Sequence, residues 1–387
     1  MKINQVYEIV NNATSQVLGE QDLLQEDLSN IVDTGKKIIG ADQLDNYVKS
    51  LVNHIGKVVF DNRVYEGNKT SVLMDSWEYC SILEKITADI PVAHENDSWN
   101  LKDGEFYNQD VFVQPKVSAK FFSSKVTFEI PISFTELQVK ESFSNVEQLN
   151  GFLSMLYNAV EKSMKVKTDE LVQKVINNAI AETLVSDLKT KEGTLDLKKS
   201  GVKAINLLAD YNKKQGTKVT PDKAIYDPDF IRYASYIINL TSDRLTKIST
   251  LFNVEKKERF TPKEEQNIIL LSDFASATQT YLFSDTFHNE LVKLPDFETV
   301  PFWQGSGKNY DFDDVSGISV KTADGEVVET SGILGVILDR QAVAVCNTDN
   351  RVTTNYNAKA EFYNNFYKSD NAYFNDLQEN TVVFFVA

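Results

Sequence analysis

Side chains that could carry chemistry are few and scattered in this chain of 387 residues. The three histidines, His54, His94 and His288, do not stand at metal-ligand spacing from one another or from a cysteine. Cys80 and Cys346 each sit in an apolar stretch and lie far apart in sequence, which predicts two small buried thiols and a reducing compartment. There is no Walker A loop to cradle phosphates, no G-x-G-x-x-G opening a helix, and no G-x-S-x-G elbow. An enzyme of this sequence would have to assemble its site from distant residues, and nothing in the pattern gathers acid and base groups. No catalytic residue, cofactor or metal is therefore assigned.

Two stretches invite a closer look. "NYDFDDVSG" brings Asp311, Asp313 and Asp314 together, but Val315 stands where an EF-hand loop needs an oxygen ligand, and Thr322 where it needs a bidentate Glu. An acidic loop is expected. Near the end of the chain, Phe362, Tyr363, Phe366, Tyr367 and Phe374 recur at near-helical intervals and could in principle stack on bases. Lys359 and Lys368 are the cations of that stretch, opposed by Glu361, Asp370 and Asp376, so core or subunit-contact aromatics are expected instead.

The whole chain supports the same direction. A formal net charge of −16 and a pI near 4.8 argue against a protein that grips phosphate backbones, because such binding depends on clustered Lys and Arg. A hydrophobic content of 42% suffices for a substantial core. No apolar run approaches the roughly 20 residues needed to cross a bilayer, and the first residues lack a secretory signal's apolar centre. A folded protein made in a cytoplasm, without membrane contact, is expected.

The elements that must position these residues can be read from periodicity. Ile3, Val6, Ile9, Val10, Ala13 and Val17 predict one amphipathic helix, and Leu44, Tyr47, Val48, Leu51, Val52 and Ile55 a second, capped by Gly56. "KVVFDNRVYEG" reads as two short strands. From 105 to 134 the period changes to two, and Val126, Phe128, Ile130 and Ile132 alternate with Lys125, Thr127, Glu129 and Pro131. That segment reads as a long hairpin projecting from the body. From 145 to 184 a broad apolar stripe runs without proline, predicting one exceptionally long helix. A helix is predicted through "LKKSGVKAINLLADYNKKQG", a strand at "KAIYDP", and a helix at "DFIRYASYIINLTSDRLTKIS". "SGISVKTADGEVVETSG" is a hairpin signal about Asp324-Gly325. "ILGVIL", "AVAV" and "TVVFFVA" predict strands buried on both faces.

That order of elements, together with "IGKVVFDNRVYEG", "IPISFTELQVKESF" and the run from "GVILDRQAVAV" to the terminal "TVVFFVA", resembles the tailed-phage major capsid proteins of the Hong Kong 97-type fold. The resemblance implies an α+β class. It implies an N-terminal arm at 1–75 that reaches an adjacent capsomer, and a first part of a peripheral domain at 76–229. That part would hold the extended loop 105–134 and the spine helix 145–184. An axial domain would follow at 230–330, and 331–387 would complete the peripheral domain and seal its core with the terminal aromatics. Phe112, Lys116, Lys120, Phe121, Phe122, Lys125 and Arg351 would lie at subunit interfaces, with the hairpin lysines as ordinary exposed cations rather than cross-linking groups.

The implied function is a shell subunit that assembles with itself into hexamers and pentamers around double-stranded DNA, without sequence-specific binding and without catalysis. Only about 75 residues precede the body, so a separate scaffolding protein is expected, with a portal protein as a further partner. The location implied is the virion capsid. Two alternatives remain at this stage: an encapsulin-like nanocompartment shell around cargo enzymes, and a cytoplasmic enzyme with a site built from distant residues.

Overall fold

The computed structural model describes residues 3–18, 31–40, 44–61, 72, 83–88, 90–91, 93, 95, 102–104, 112, 114–283, 294–304, 311–322 and 325–387. In chain order its helices and strands begin with α1 (Ile3–Leu18), α2 (Ile31–Gly40) and α3 (Leu44–Asp61). Next come β1 (Leu83–Ala88), β2 (Val117–Phe122), β3 (Lys125–Thr135), α4 (Glu136–Ser142) and α5 (Val146–Leu188). Then follow β4 (Ala204–Asn206), α6 (Leu207–Gln215), α7 (Pro221–Ala224), α8 (Pro228–Leu245), β5 (Gln266–Leu271), α9 (Ser272–Phe283), β6 (Glu298–Val300) and α10 (Phe312–Val315). The chain closes with β7 (Ile318–Lys321), β8 (Val327–Thr330), β9 (Ile333–Asp339), β10 (Val343–Asn357), β11 (Phe362–Asn375) and β12 (Thr381–Phe385).

The chain divides into two compact units. The first comprises Met1–Cys80, Ser124–Val172 and Val345–Ala372. Its core joins Ile9, Val10 and Ala13 of α1 and Tyr47, Val48, Leu51 and Val52 of α3 to Phe134 of β3, to Leu149, Leu153 and Leu156 of α5, and to Tyr363 and Tyr367 of β11. The N-terminal helices therefore have no core of their own; they help to make this one. A three-stranded sheet in the order β10-β11-β3 lies in it, with Phe362 to Ala372 antiparallel to Thr135 to Lys125. Strand β3 turns directly into α4 through a capping box: Thr135 Oγ1 accepts from the Gln138 amide at 3.2 Å, and Gln138 Oε1 accepts from the Thr135 amide at 2.9 Å. The Asn145 side chain then caps α5 by accepting from the Gln148 amide at 2.8 Å. The 43 residues of α5 form one helix, about 65 Å long at about 1.5 Å per residue, as its stripe predicts.

The second unit comprises Ser81–Ser123, Gln173–Ala344 and Tyr373–Ala387. Its centre is a five-stranded sheet in the order β4-β12-β9-β5-β6, and every residue of β9 and β12 is buried. Strand β12 lies antiparallel to β9 and parallel to β4, so the end of the chain is interior to a sheet. The predicted hairpin is present as β7 and β8, with Gly325 at φ +85° in its turn.

Several expectations are corrected. Helix α3 continues through Gly56 to Asp61, so Gly56 does not cap it and 57–61 is not a strand; 62–67 lies outside the described residues. Strands β2 and β3 do not pair as a hairpin: β2 pairs with β1, and β3 with β11. The terminal aromatics, spaced at near-helical intervals, lie on β11, with Tyr363, Tyr367 and Phe374 buried in the core. The helix expected from 197 begins at Leu207, because Ala204–Asn206 is recruited as a parallel strand beside β12 while the Lys203 and Ala204 amides donate to Asp187 at 2.8 and 3.0 Å. "KAIYDP" holds the end of α7 and the start of α8, each helix opening at a proline, with Asp227 capping α8. Cys346 is buried and disulfide-bonded, against the expectation of a free thiol, which removes that argument for a reducing compartment. The other cysteine, Cys80, lies outside the described residues.

Candidate functional site

The seven residues singled out in the sequence fall into two groups, one in each unit. Lys120, Phe121 and Phe122 lie on β2, Lys116 is exposed just before it, and Phe112 is 87% exposed. Lys125 opens β3 and is exposed, while Arg351 lies on β10. Arg351 bonds Asp370 of β11 and reaches Asp349 at 3.1 Å, and Asp370 also accepts from Thr127 at 2.6 Å. The Arg351 and Thr127 hydrogen bonds outweigh partial burial and hold the Asp370 carboxyl below the usual range. This second group is a surface charge cluster that braces the three-stranded sheet.

The first group belongs to a two-stranded ribbon. In the antiparallel β1–β2 register, Lys85 faces Lys120, Ile86 faces Ala119, Thr87 faces Ser118 and Ala88 faces Val117. Directly opposed residues share a face, and alternate residues take opposite faces. One face therefore carries Leu83, Lys85, Thr87, Ser118, Lys120 and Phe122. The other carries Glu84, opposite Phe121, together with Ile86, Ala88, Val117, Ala119 and Phe121.

The first face is tied to the rest of its unit. Lys85 Nζ donates to Asp376 at 2.8 Å and to Glu379 at 2.6 Å, and Lys120 Nζ to Glu255 at 2.6 Å and to Asp376 at 3.2 Å. Arg259 Nε reaches Glu379 at 3.2 Å, and Gln378 donates to Glu255 at 2.9 Å. The Phe122 ring rests 5.0 Å from Phe374, centroid to centroid. Asp376 has a fully buried side chain. Burial alone would raise its pKa, but the Lys85 hydrogen bond and charge prevail and hold it below the ordinary range. For Glu255 the same contest is decided by Lys120 and Gln378, and Lys120 is held above its usual value in return.

Past Glu84 at one end, the opposite face is apolar and bare: Ile86 is 64%, Phe121 62% and Val117 59% exposed, with Ala88 and Ala119 exposed between them. A contiguous exposed apolar patch offers packing area rather than groups that could carry out chemistry. Among the described residues no group of three or more His, Cys, Asp or Glu is placed to hold a metal ion, and no helix is long and apolar enough to cross a membrane. Sequence reading missed β1, Lys85, Ile86 and the carboxylates beneath. "LEKITA" has no clean alternation, and a carboxylate pair such as Asp376 and Glu379 looks like any polar turn.

Comparison with known proteins shows the family to which the chain belongs. The sequence family described as Phi29-like phage major capsid protein matches residues 6–385. The chain belongs to that family. This capsid protein is similar in structure to a chain of native bacteriophage P68, from a structure described for its head fiber and inner core protein gp22. The two are 9% identical over 82% of this chain and 83% of that one, at a TM-score of 0.50. It is also similar to the capsid of Staphylococcus phage Andhra, at 9% identity over 83% and 84% and a TM-score of 0.44. The capsid of Cyanophage P-SCSP1u is similar at 10% identity over 82% and 87%, again at 0.44. No match was found among curated proteins. The α+β architecture is the Hong Kong 97-type capsid fold, and the protein is a phage major capsid protein that assembles with itself in the virion. The reading as a nanocompartment shell gains no support from these comparisons.

Proposed function

We propose that this capsid protein is a non-enzymatic subunit that closes an icosahedral shell of hexamers and pentamers around double-stranded DNA, and that the β1–β2 ribbon is the stem of its extended loop. The observation that carries this reading is the bare apolar face of Ile86, Val117 and Phe121, which a lone soluble subunit has no reason to keep. On this reading the extended loop runs between β1 and β2, at 83–122, whereas the resemblance implied 105–134. Phe112, Lys116 and Phe121 lie in contacts between subunits. Lys120 and Phe122 orient the ribbon instead, while Lys125 and Arg351 lie on the sheet that would meet a neighbour. Residues 1–75 act as the N-terminal arm, 230–330 as the axial domain, and 76–229 with 331–387 as the peripheral domain.

The net charge of −16 fits a shell filled by a motor, because an acidic wall limits sticking of the entering DNA without sequence-specific contacts. A separate scaffolding protein guides assembly, a portal protein occupies one vertex, and the subunit is made in the host cytoplasm. Replacing both Ile86 and Phe121 by Ser tests the central claim. The variant is expected to remain folded by circular dichroism yet sediment as small species under conditions where the parent forms large particles in electron micrographs. Particles of normal size and yield would overturn the role of this face.

A further inference from the structure

The contacts beneath the ribbon differ in kind from those that hold the rest of the second unit. The strands of its five-stranded sheet are joined by ladders and buried aliphatic side chains, with β9 and β12 wholly interior. The ribbon instead sets two ammonium groups and the Phe122 ring against the body. Its cations, Lys85 and Lys120, together with Arg259, meet Asp376, Glu379 and Glu255, three charges against three. Asp376 and Glu379 stand in the short turn between β11 and β12, and Arg259 and Glu255 on the connection between α8 and β5. That connection is itself tied to the turn, since the amides of Val254 and Glu255 both donate to the Leu377 carbonyl, at 3.1 and 3.2 Å.

Resting on the capsid reading above, we infer that the β1–β2 ribbon is held by an ionic latch, Lys85 and Lys120 on Asp376, Glu379 and Glu255, which fixes the pose of its apolar face and can open without disturbing the sheet beneath. Three physical points support it. A two-stranded ribbon is marginal in water when it stands alone, so its order depends on what it is docked against. Charged pairs with excellent geometry are specific in direction, yet contribute less net stability than an equivalent apolar contact, so they orient a segment without welding it. Glu379 is also held by Arg259, Glu255 by the Gln378 side chain and Asp376 by the Gln378 amide at 3.1 Å, so an opened latch leaves a site that keeps its shape and can close again.

The test uses the full-length, unassembled subunit and hydrogen exchange resolved by peptide. Lys85→Met keeps the aliphatic stem and removes the charge; it is expected to speed exchange in β1 and β2 at least tenfold, with β9 and β12 unchanged. Lys85→Arg is expected to exchange as the parent does. Where Lys85→Met does not accumulate as folded protein, Lys120→Met serves the same purpose at the more exposed edge of the cluster. Ribbon exchange unchanged in the Met variants would overturn the latch, since the charges would then hold nothing. A parallel rise in β9 and β12 would overturn it too, because the cluster would then be part of the core. Particle yield separates the two claims: an opened ribbon with normal particles sinks the assembly role of the apolar face and leaves the latch standing, whereas failed assembly with parental exchange does the reverse.

Discussion

Gly335 illustrates how far a single position can constrain the second unit. It lies on β9 opposite Leu270 of β5 and Phe384 of β12, inside the five-stranded sheet. A Cβ built there would meet Leu270 Cδ2 at 2.5 Å and the Ile269 carbonyl oxygen at 3.0 Å, and part of that obstacle is backbone, which cannot swing aside. Gly335→Val should therefore cost more than the about 1–3 kcal/mol typical of overpacking, despite the better strand propensity of valine. Denaturant unfolding with an unchanged midpoint would show that the neighbouring strands move apart easily. The sequence shows "ILGVIL" as a buried strand, but not that its glycine is a packing requirement. That information resides in the partner strands, which are more than 40 residues away on either side.

At the scale of elements, legibility depends on whether one solvent-facing pattern persists. Helix α5 is legible because Leu149, Leu156, Val160, Val175 and Ile180 continue one stripe, and all five are buried. Leu156→Asp or Val175→Asp should lower stability by several kcal/mol, on the order of 3–5, because each places a charge without a partner in the core. Melting temperatures within about 1 °C of the parent would put those positions outside the core. Strand β11 was illegible for the opposite reason. Its inward residues are Tyr363, Asn365, Tyr367, Ser369 and Asn371, so polar groups interrupt the apolar alternation and leave aromatics at four-residue intervals. Burial of those polar groups is permitted by partners on neighbouring strands: Asn365 accepts from Thr354 at 3.0 Å and donates to the Ile132 carbonyl at 3.2 Å, and Ser369 accepts from Asn347 at 2.8 Å. The supposed hairpin of 105–134 failed likewise. Strands β2 and β3 are adjacent in sequence, but the two-residue link between them passes from one sheet to another, and no local signal distinguishes that link from a turn.

For the molecule as a whole, ionisation couples the ribbon to stability. Asp376 and Glu255 are both held below their ordinary values, where burial is outweighed by lysine partners. A carboxylate depressed in the folded state contributes stability that is present above its unfolded value, about 3.9 for Asp and 4.3 for Glu, and is lost as pH falls through the folded value. Asp339 opposes this. Burial raises it despite hydrogen bonds from Thr261 and the Gln341 amide, so its contribution is greatest in acid and is lost as pH rises through its elevated folded value. Glu136, Asp196, Asp222 and Asp370 are depressed as well, so six depressed carboxyls against one raised predict unfolding free energy that is level near neutrality and falls in the acid window below about pH 4. Asp376→Asn isolates the dominant member. Its buried side chain contacts both Lys85 and Lys120, so neutralising it should release the ribbon, and the loss of unfolding free energy at pH 7 is capped at the small free energy that docks it, about 1 kcal/mol, the net worth of a typical hydrogen bond. The remaining acid dependence should become shallower, because the proton that Asp376 takes up on unfolding is no longer counted. Urea titrations of parent and variant at pH 7, 5 and 3.5 measure both effects. Parallel curves, offset by a constant amount at every pH, would show that Asp376 acts through packing alone and that acid acts elsewhere in the molecule.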